Sequence, residues 1–229
     1  MVRRGELIIV DGISGGGKTS LLDGIRSALQ ERGITVYQFR EEDLDPDRAE
    51  ILATRDAARK QGRSGNFEMT QALVDHRASI YKKLVEPALQ RGQVGLADRG
   101  EPATLAYQTK DGDVSMDTVW GLHRRAGIRK PNVVLITVCS PETAVARQAG
   151  DASVKRTNDE RGRGLSGKVT FTTDTSIDNK IRKTQALVEQ YGKTDTFLKR
   201  KRIPTLTLNT ESMSLTEELD QVLKFLRLK

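Results

Sequence analysis

The sequence predicts an α/β fold of three layers, with helices covering both faces of a five-stranded parallel sheet. Three observations predict it. Short apolar runs alternate with segments of helical periodicity along the chain, as strands joined by crossover helices require. The first apolar run, Leu7-Ile8-Ile9-Val10, is continuous rather than alternating, which suits the middle strand of a parallel sheet. Between the first run and the first helical segment lies Gly-Ile-Ser-Gly-Gly-Gly-Lys-Thr, residues 12–19, a complete match to G-x-x-x-x-G-K-[ST].

In order, the first strand spans Glu6 to Asp11, around Leu7-Ile8-Ile9-Val10. A helix follows from Lys18 to Arg32, with Leu21, Leu22, Ile25 and Leu29 on one face and Gly33 closing it. Thr35 to Phe39 is the second strand. Residues 47–62 show a weakly apolar helical pattern, and Gly62 to Asn66 reads as a loop. A long helix from Phe67 to Gln90 ends at Gly92, before a third strand at Val94 to Ala97. Two helical stretches, Ala103 to Lys110 and Asp117 to Gly127, lead to a fourth strand, Val133 to Val138, bounded by Pro131 and Pro141. A short helix, Glu142 to Arg147, precedes residues 149–168, which lack hydrophobic periodicity and read as a mobile surface loop. A helix from Ser176 to Arg200, a strand from Thr205 to Leu208 and a helix from Ser214 to Arg227 complete the chain. No repeat and no linker breaks the alternation, so residues 1–229 read as one domain.

The loop at residues 12–19 carries the clearest chemistry. Gly12, Gly15, Gly16 and Gly17 let backbone N–H groups approach phosphate oxygens, and the helix beginning at Lys18-Thr19-Ser20 turns its positive end toward the same anion. Lys18 is placed to reach the outer phosphates of a nucleotide, and the Thr19 hydroxyl to ligate Mg²⁺. At the end of the third strand stand Asp98 and Arg99, a carboxylate suited to a magnesium shell and a guanidinium suited to phosphate. The second strand ends in Arg40-Glu41-Glu42, at the carboxyl end of the strand, where ligands of such folds bind. A plain reading of that acidic run as solvated charge stays open.

Composition narrows the class. A net charge of +7 suits an anionic ligand, a nucleotide or a nucleic acid alike. Cys139 is the single cysteine, which excludes an intrachain disulfide framework and fits a reducing cytoplasm. No apolar run approaches a membrane span, and the run at Leu7 is read as a strand rather than a secretion signal. His76 and His123 have no metal-ligand spacing around them and read as ordinary polar residues; Trp120 reads as helix packing, and Cys139 as buried and inert. The basic run Lys199 to Arg202 falls at a helix carboxyl end, where cations are favoured, and reads as structural.

With these residues in view, the chain resembles the thymidylate kinase branch of the P-loop NTPase nucleoside monophosphate kinases. The segment Asp98 to Gln108 is similar to that family's D-R-[YFH]-x-x-S-x-x-A-Y-Q, with Asp98, Arg99, Ala106, Tyr107 and Gln108 in register. Arg40-Glu41, the Asp75 and Arg77 pair on the long helix, Pro87 to Gly92, and Lys130-Pro131-Asn132 through Pro141-Glu142 resemble further family segments. The resemblance implies transfer of the ATP γ-phosphoryl to a nucleoside monophosphate, dTMP or a related pyrimidine nucleotide. ATP phosphates would lie on the loop, with Ser14 and Ser20 beside it, and Thr19 and Asp98 would serve Mg²⁺. Arg40 and Arg99 would hold the acceptor phosphate, Glu41 would stand beside them, and Arg77, Tyr107 and Gln108 would meet the acceptor base and sugar. The family places a catalytic arginine either in the loop or in a closing lid. Ser14, Gly15 and Gly16 supply none here, so the lid at residues 149–168 would supply it, with Arg156 and Arg161 as candidates. The family also implies a homodimer.

Four positions depart from the family pattern. Ser14 stands where an acid is usual, Leu73 where an aromatic stacks on the base, Gly100 where an aromatic follows Asp-Arg, and Ala103 where a serine is usual. Thr104 offers a hydroxyl to a base edge instead. The phosphate-handling half is therefore intact and the base-handling half altered. Two other readings remain open at this point: a deoxynucleoside kinase using Glu41 or Glu42 as base, and a P-loop ATPase acting with nucleic acid. Aromatics at 4%, with no second ATPase module, speak against the latter.

Overall fold

The computed structural model describes residues 5–44, 53–54, 56–57, 60–61, 67–110, 113–150 and 177–228. Five strands form one parallel sheet in the order β2-β3-β1-β4-β5: β1 (Leu7–Gly12), β2 (Val36–Arg40), β3 (Val94–Asp98), β4 (Val133–Val138) and β5 (Thr205–Asn209). All four pairings are parallel. β1 is central. Its crossovers lead to β2 and β3 on one side and to β4 and β5 on the other, which opens a crevice at the carboxyl ends where the two sides diverge.

The continuous apolar run of β1 follows from this position. Successive side chains point to opposite faces, and both faces are covered. Leu7 and Ile9 enter one core with Phe39, Val74, Leu105 and Tyr191. Ile8 and Val10 enter the other with Leu21, Leu22, Ile25, Leu29 and Val222. The second core is built by α1 (Lys18–Glu31) and the C-terminal helix α8 (Leu215–Phe225). Ser214 caps α8 in a reciprocal box with Glu217.

The first core is covered by α2 (Phe67–Ile80), α4 (Glu101–Gln108), α5 (Met116–Arg125) and the long α7 (Ile177–Arg200), with α6 (Pro141–Gly150) packed beside α7. The single helix expected from Phe67 to Gln90 is present but not uniform. It widens to a π turn at Tyr81–Val85 before α3 (Glu86–Gln90). Pro87 is the physical reason: it offers no N–H and its ring crowds the carbonyl four residues earlier, at Lys83, inside that turn.

Other expectations resolve locally. Trp120 packs edge-on against Phe197, joining α5 to α7, with the Arg124 guanidinium over its ring. Within the basic run, Lys199 pairs with Asp195, and Arg200 and Lys201 pair with Asp117. Cys139 is buried, and burial pushes its thiol up, so it stays protonated. The weakly helical residues 47–62 and the loop at 149–168 fall mostly outside the described residues, and with them Arg156 and Arg161.

Candidate active site

The site is assembled where β1, β2 and β3 end. The loop after β1 needs its glycines for two separate reasons. Gly15 and Gly17 have φ of 78° and 82°, a left-handed conformation that side chains resist. Gly12 and Gly15 also lie against backbone: a Cβ would meet the Thr137 carbonyl oxygen at 2.2 Å and that of Ala144 at 2.4 Å. Gly17 starts α1, so the unpaired N–H groups of the first turn, at Lys18, Thr19 and Ser20, face the loop's concavity.

Lys18 is buried, and its Nζ donates to the Gly12 and Ile13 carbonyls at 3.2 and 2.7 Å. Burial first, and then the Arg99 charge, push its amine down to about 7. Thr19 and Ser20 are exposed at the loop's mouth.

β2 and β3 set the next pair in register. Arg40 and Asp98 are partners across the ladder, with Nε and Oδ2 4.0 Å apart. Asp98 Oδ1 is buried without a hydrogen-bond partner. Burial raises the carboxyl, while Arg40, Lys18 and Arg99 oppose that shift. Arg99 follows with φ of 69°, an uncommon value for a non-glycine residue. From that turn it reaches back over β1, donating to Ser14 Oγ at 3.2 Å and lying 3.9 Å from Asp11. Its guanidinium also sits 6.0 Å from the Tyr107 ring centre. Gly100 packs closely: a Cβ there would meet the Ile9 side chain at 3.0 Å, so a larger residue would require that side chain to shift.

A second group of residues is organised around Arg77 of α2. This guanidinium is buried, donating to Glu41 Oε1 at 2.7 Å and to Thr104 Oγ1 at 3.0 Å, and contacting the His123 ring. Glu41 is thus no solvated charge. Glu41 pairs with Arg77 and Glu42 with Arg40, so the two carboxylates that a nucleoside kinase would use as base are both held by arginines. Leu73 is half-buried one turn before Arg77. On α4, Thr104 and Gln108 are buried, with Gln108 Oε1 lacking a hydrogen-bond partner, and Tyr107 is half-buried beside Arg99.

Several contributors were not anticipated from the sequence. Asp11 is fully buried at the end of β1 and accepts from Tyr191 Oη and the Gly12 N–H, each at 2.8 Å. Burial, and then the Asp11 charge, keep the Tyr191 phenol protonated. An acid ending an otherwise apolar strand was a readable signal; Tyr191, far along the chain, gave none. Arg147 and Gln148 of α6 donate to the loop carbonyls of Gly15 and Ser14 at 3.3 and 3.0 Å. His123, expected as an ordinary polar residue, is fully buried against Arg77. Glu101 is also buried, accepting from Arg124 Nη2 at 2.6 Å; burial pushes it up to about 7 against the pull of Arg124 and Arg77.

The geometry brings together a glycine-rich loop, a buried lysine, a carboxylate with an unpaired oxygen and the guanidinium groups of Arg40, Arg77 and Arg99. That set has the chemistry to hold phosphorylated groups and to neutralise charge on them. Comparison with known proteins agrees. The family model described as thymidylate kinase matches residues 10–166. A thymidylate kinase of Hahella chejuensis is 32% identical over 162 residues, covering 70% of this chain and 77% of the relative. One from Xanthomonas euvesicatoria pv. vesicatoria is 30% identical over 195 residues, covering 80% and 83%. One from Verminephrobacter eiseniae is 30% identical over 161 residues, covering 66% and 70%.

Proposed function

The chain belongs to the thymidylate kinase family, and we propose that it transfers the γ-phosphoryl of ATP to a nucleoside monophosphate, dTMP foremost, giving the diphosphate. The observation that carries this reading is the convergence of Lys18, Arg40, Asp98 and Arg99 on the loop at the carboxyl ends of three adjacent strands. Metaphosphate-like transfer asks little covalent chemistry of the protein; it asks for positioning and for positive charge between donor and acceptor.

In this reading the loop from Gly12 to Ser20 holds the ATP phosphates, and Lys18 leaves its carbonyl partners to follow the γ-phosphoryl. Arg40 and Arg99 hold the acceptor phosphate on the far side. The donor set suits Mg²⁺: the unpaired, buried Asp98 Oδ1 and the exposed Thr19 hydroxyl are hard oxygen ligands flanking the loop. They would hold the ion, which neutralises charge on the phosphates when bound. Arg77, Thr104 and Gln108 present hydrogen-bonding groups to the acceptor base, Leu73 an apolar wall, and Tyr107 a ring to the sugar. The resemblance implies a lid arginine from the 149–168 segment, with Arg156 and Arg161 as candidates, both outside the described residues. Family membership also supports a homodimer, and the lone buried Cys139 supports a cytoplasmic setting. Among the described residues no helix is long and apolar enough to cross a membrane.

An ADP-release assay against nucleosides, monophosphates and single-stranded DNA tests the reaction class. Turnover with a monophosphate is expected. Turnover with nucleosides alone, or stimulation by DNA alone, would assign a different activity.

A further inference from the structure

Arg77 is held from three directions by three different elements. Glu41, in the turn after β2, takes Nε; Thr104 on α4 takes Nη1; and His123 on α5 faces the same Nη1 through Nε2. None of these bonds uses Nη2.

The state of the imidazole follows from its partners. A guanidinium only donates, so Nε2 must accept. Nδ1 lies 2.8 Å from the Val119 carbonyl, which only accepts, so Nδ1 carries the proton. Both nitrogens are thereby assigned, and a second proton would set two donors face to face. The ring is fully buried, and burial, followed by the Arg77 charge, pushes its pKa down to about 2. Glu101, 3.8 Å from Nδ1, does not offset this, being itself turned to Arg124 and pushed up by burial. The ring is therefore a fixed, neutral acceptor. It belongs to α5, outside the loop and strand ends that handle phosphate.

We propose that His123 is a positioning residue for acceptor recognition: by accepting from Arg77 Nη1 it fixes the plane of the guanidinium and leaves Nη2 aimed at the acceptor base. The inference rests on the reading that Arg77 meets the base. With the stacking aromatic replaced by Leu73, orientation of the base depends more heavily on this one guanidinium, and so on what holds it.

Three variants of the full chain test it: His123→Phe, which keeps a ring and removes the acceptor; His123→Gln, whose amide oxygen restores one; and Arg77→Lys. Steady-state constants for dTMP and ATP and thermal midpoints are measured for each. His123→Phe is expected to raise KM for dTMP roughly tenfold, the loss of one hydrogen bond from a charged donor, with KM for ATP held within about twofold. His123→Gln is expected to recover most of that loss, and Arg77→Lys to raise KM for dTMP at least as far as His123→Phe. If Arg77→Lys raises it and His123→Phe does not, the role of His123 is overturned while the reading of Arg77 stands. If Arg77→Lys leaves it unchanged, that reading fails and takes the inference with it. Equal impairment of both His123 variants toward dTMP and ATP, with matching losses of thermal midpoint, marks a purely structural residue and also overturns the proposal. Should His123→Phe not fold, His123→Leu against His123→Gln carries the same comparison.

Discussion

The Arg99 guanidinium donates to Ser14 Oγ at 3.2 Å, tying the end of β3 to the middle of the phosphate loop. The hydroxyl stands where the family usually carries an acid, and here it supplies an acceptor without charge. Ser14→Ala removes that acceptor while leaving Asp11 at 3.9 Å from Arg99. A loss of roughly three- to tenfold in kcat/KM for the acceptor is expected, as for one hydrogen bond to a charged group. Arg99→Ala should cost far more, roughly a hundredfold or greater, because it removes charge facing the transferring group. Steady-state kinetics on both variants checks the ordering; a Ser14→Ala enzyme as impaired as Arg99→Ala would contradict it.

Lys18 carries a pH-dependent signature. Its amine is pushed down to about 7 by burial and by Arg99, so above that pH the free protein holds it largely neutral. Phosphate oxygens beside it favour the ammonium and raise its pKa. ATP binding near pH 8 should therefore take up roughly one proton, visible in calorimetry as a binding enthalpy that varies with buffer ionisation enthalpy. Lys18→Ala should abolish both the uptake and nearly all phosphoryl transfer. Equal proton uptake in the two proteins would refute the assignment.

Leu73 stands one helical turn before Arg77 and is half-buried. Leu73→Phe restores a ring at the position where the family stacks one on the base. Stacking on a base is worth about 1–3 kcal/mol, so KM for dTMP should fall about tenfold, with KM for ATP unchanged. No change in KM for dTMP would show that the base does not lie against this residue.

Glu101 makes folding stability depend on pH. Its folded pKa of about 7 lies above its ordinary value of 4.5, so the folded state binds the proton more tightly. The stability this contributes is complete below about pH 4.5 and is lost as the pH rises through 7. Glu101→Gln cannot titrate. Between pH 5 and pH 7.5 the variant should gain on the wild type by about 2 kcal/mol in denaturant unfolding. A stability difference that does not move with pH would count against it.

Much of this was legible in the sequence, and the reasons are local. The five strands lie within one or two residues of their expected places because each is a short β-favouring stretch, rich in β-branched, Leu or aromatic residues, between polar, glycine or proline breaks. The loop was legible because its residue types are demanded by backbone approach to phosphate. Less legible was everything set by packing between distant segments. His123 and Glu101 sit on amphipathic helices whose pattern marks a buried face but not its partner. Tyr191 and Asp11 are 180 residues apart in sequence, and only the sheet brings the phenol to the carboxylate. Glu41 reads from the sequence either as a site residue or as part of a solvated acidic run, and its ion pair with Arg77, 36 residues later, is what only the fold supplies.

Phosphoryl transfer from ATP to a nucleoside monophosphate is best followed by tracing the phosphoryl group itself. The protein is incubated with dTMP, Mg²⁺ and ATP carrying an isotopic label in its γ-phosphoryl, and the products are resolved by mass spectrometry. Label is expected in the β-position of dTDP, with ADP formed in equal amount. Label released as inorganic phosphate, with dTMP left unphosphorylated, would contradict it.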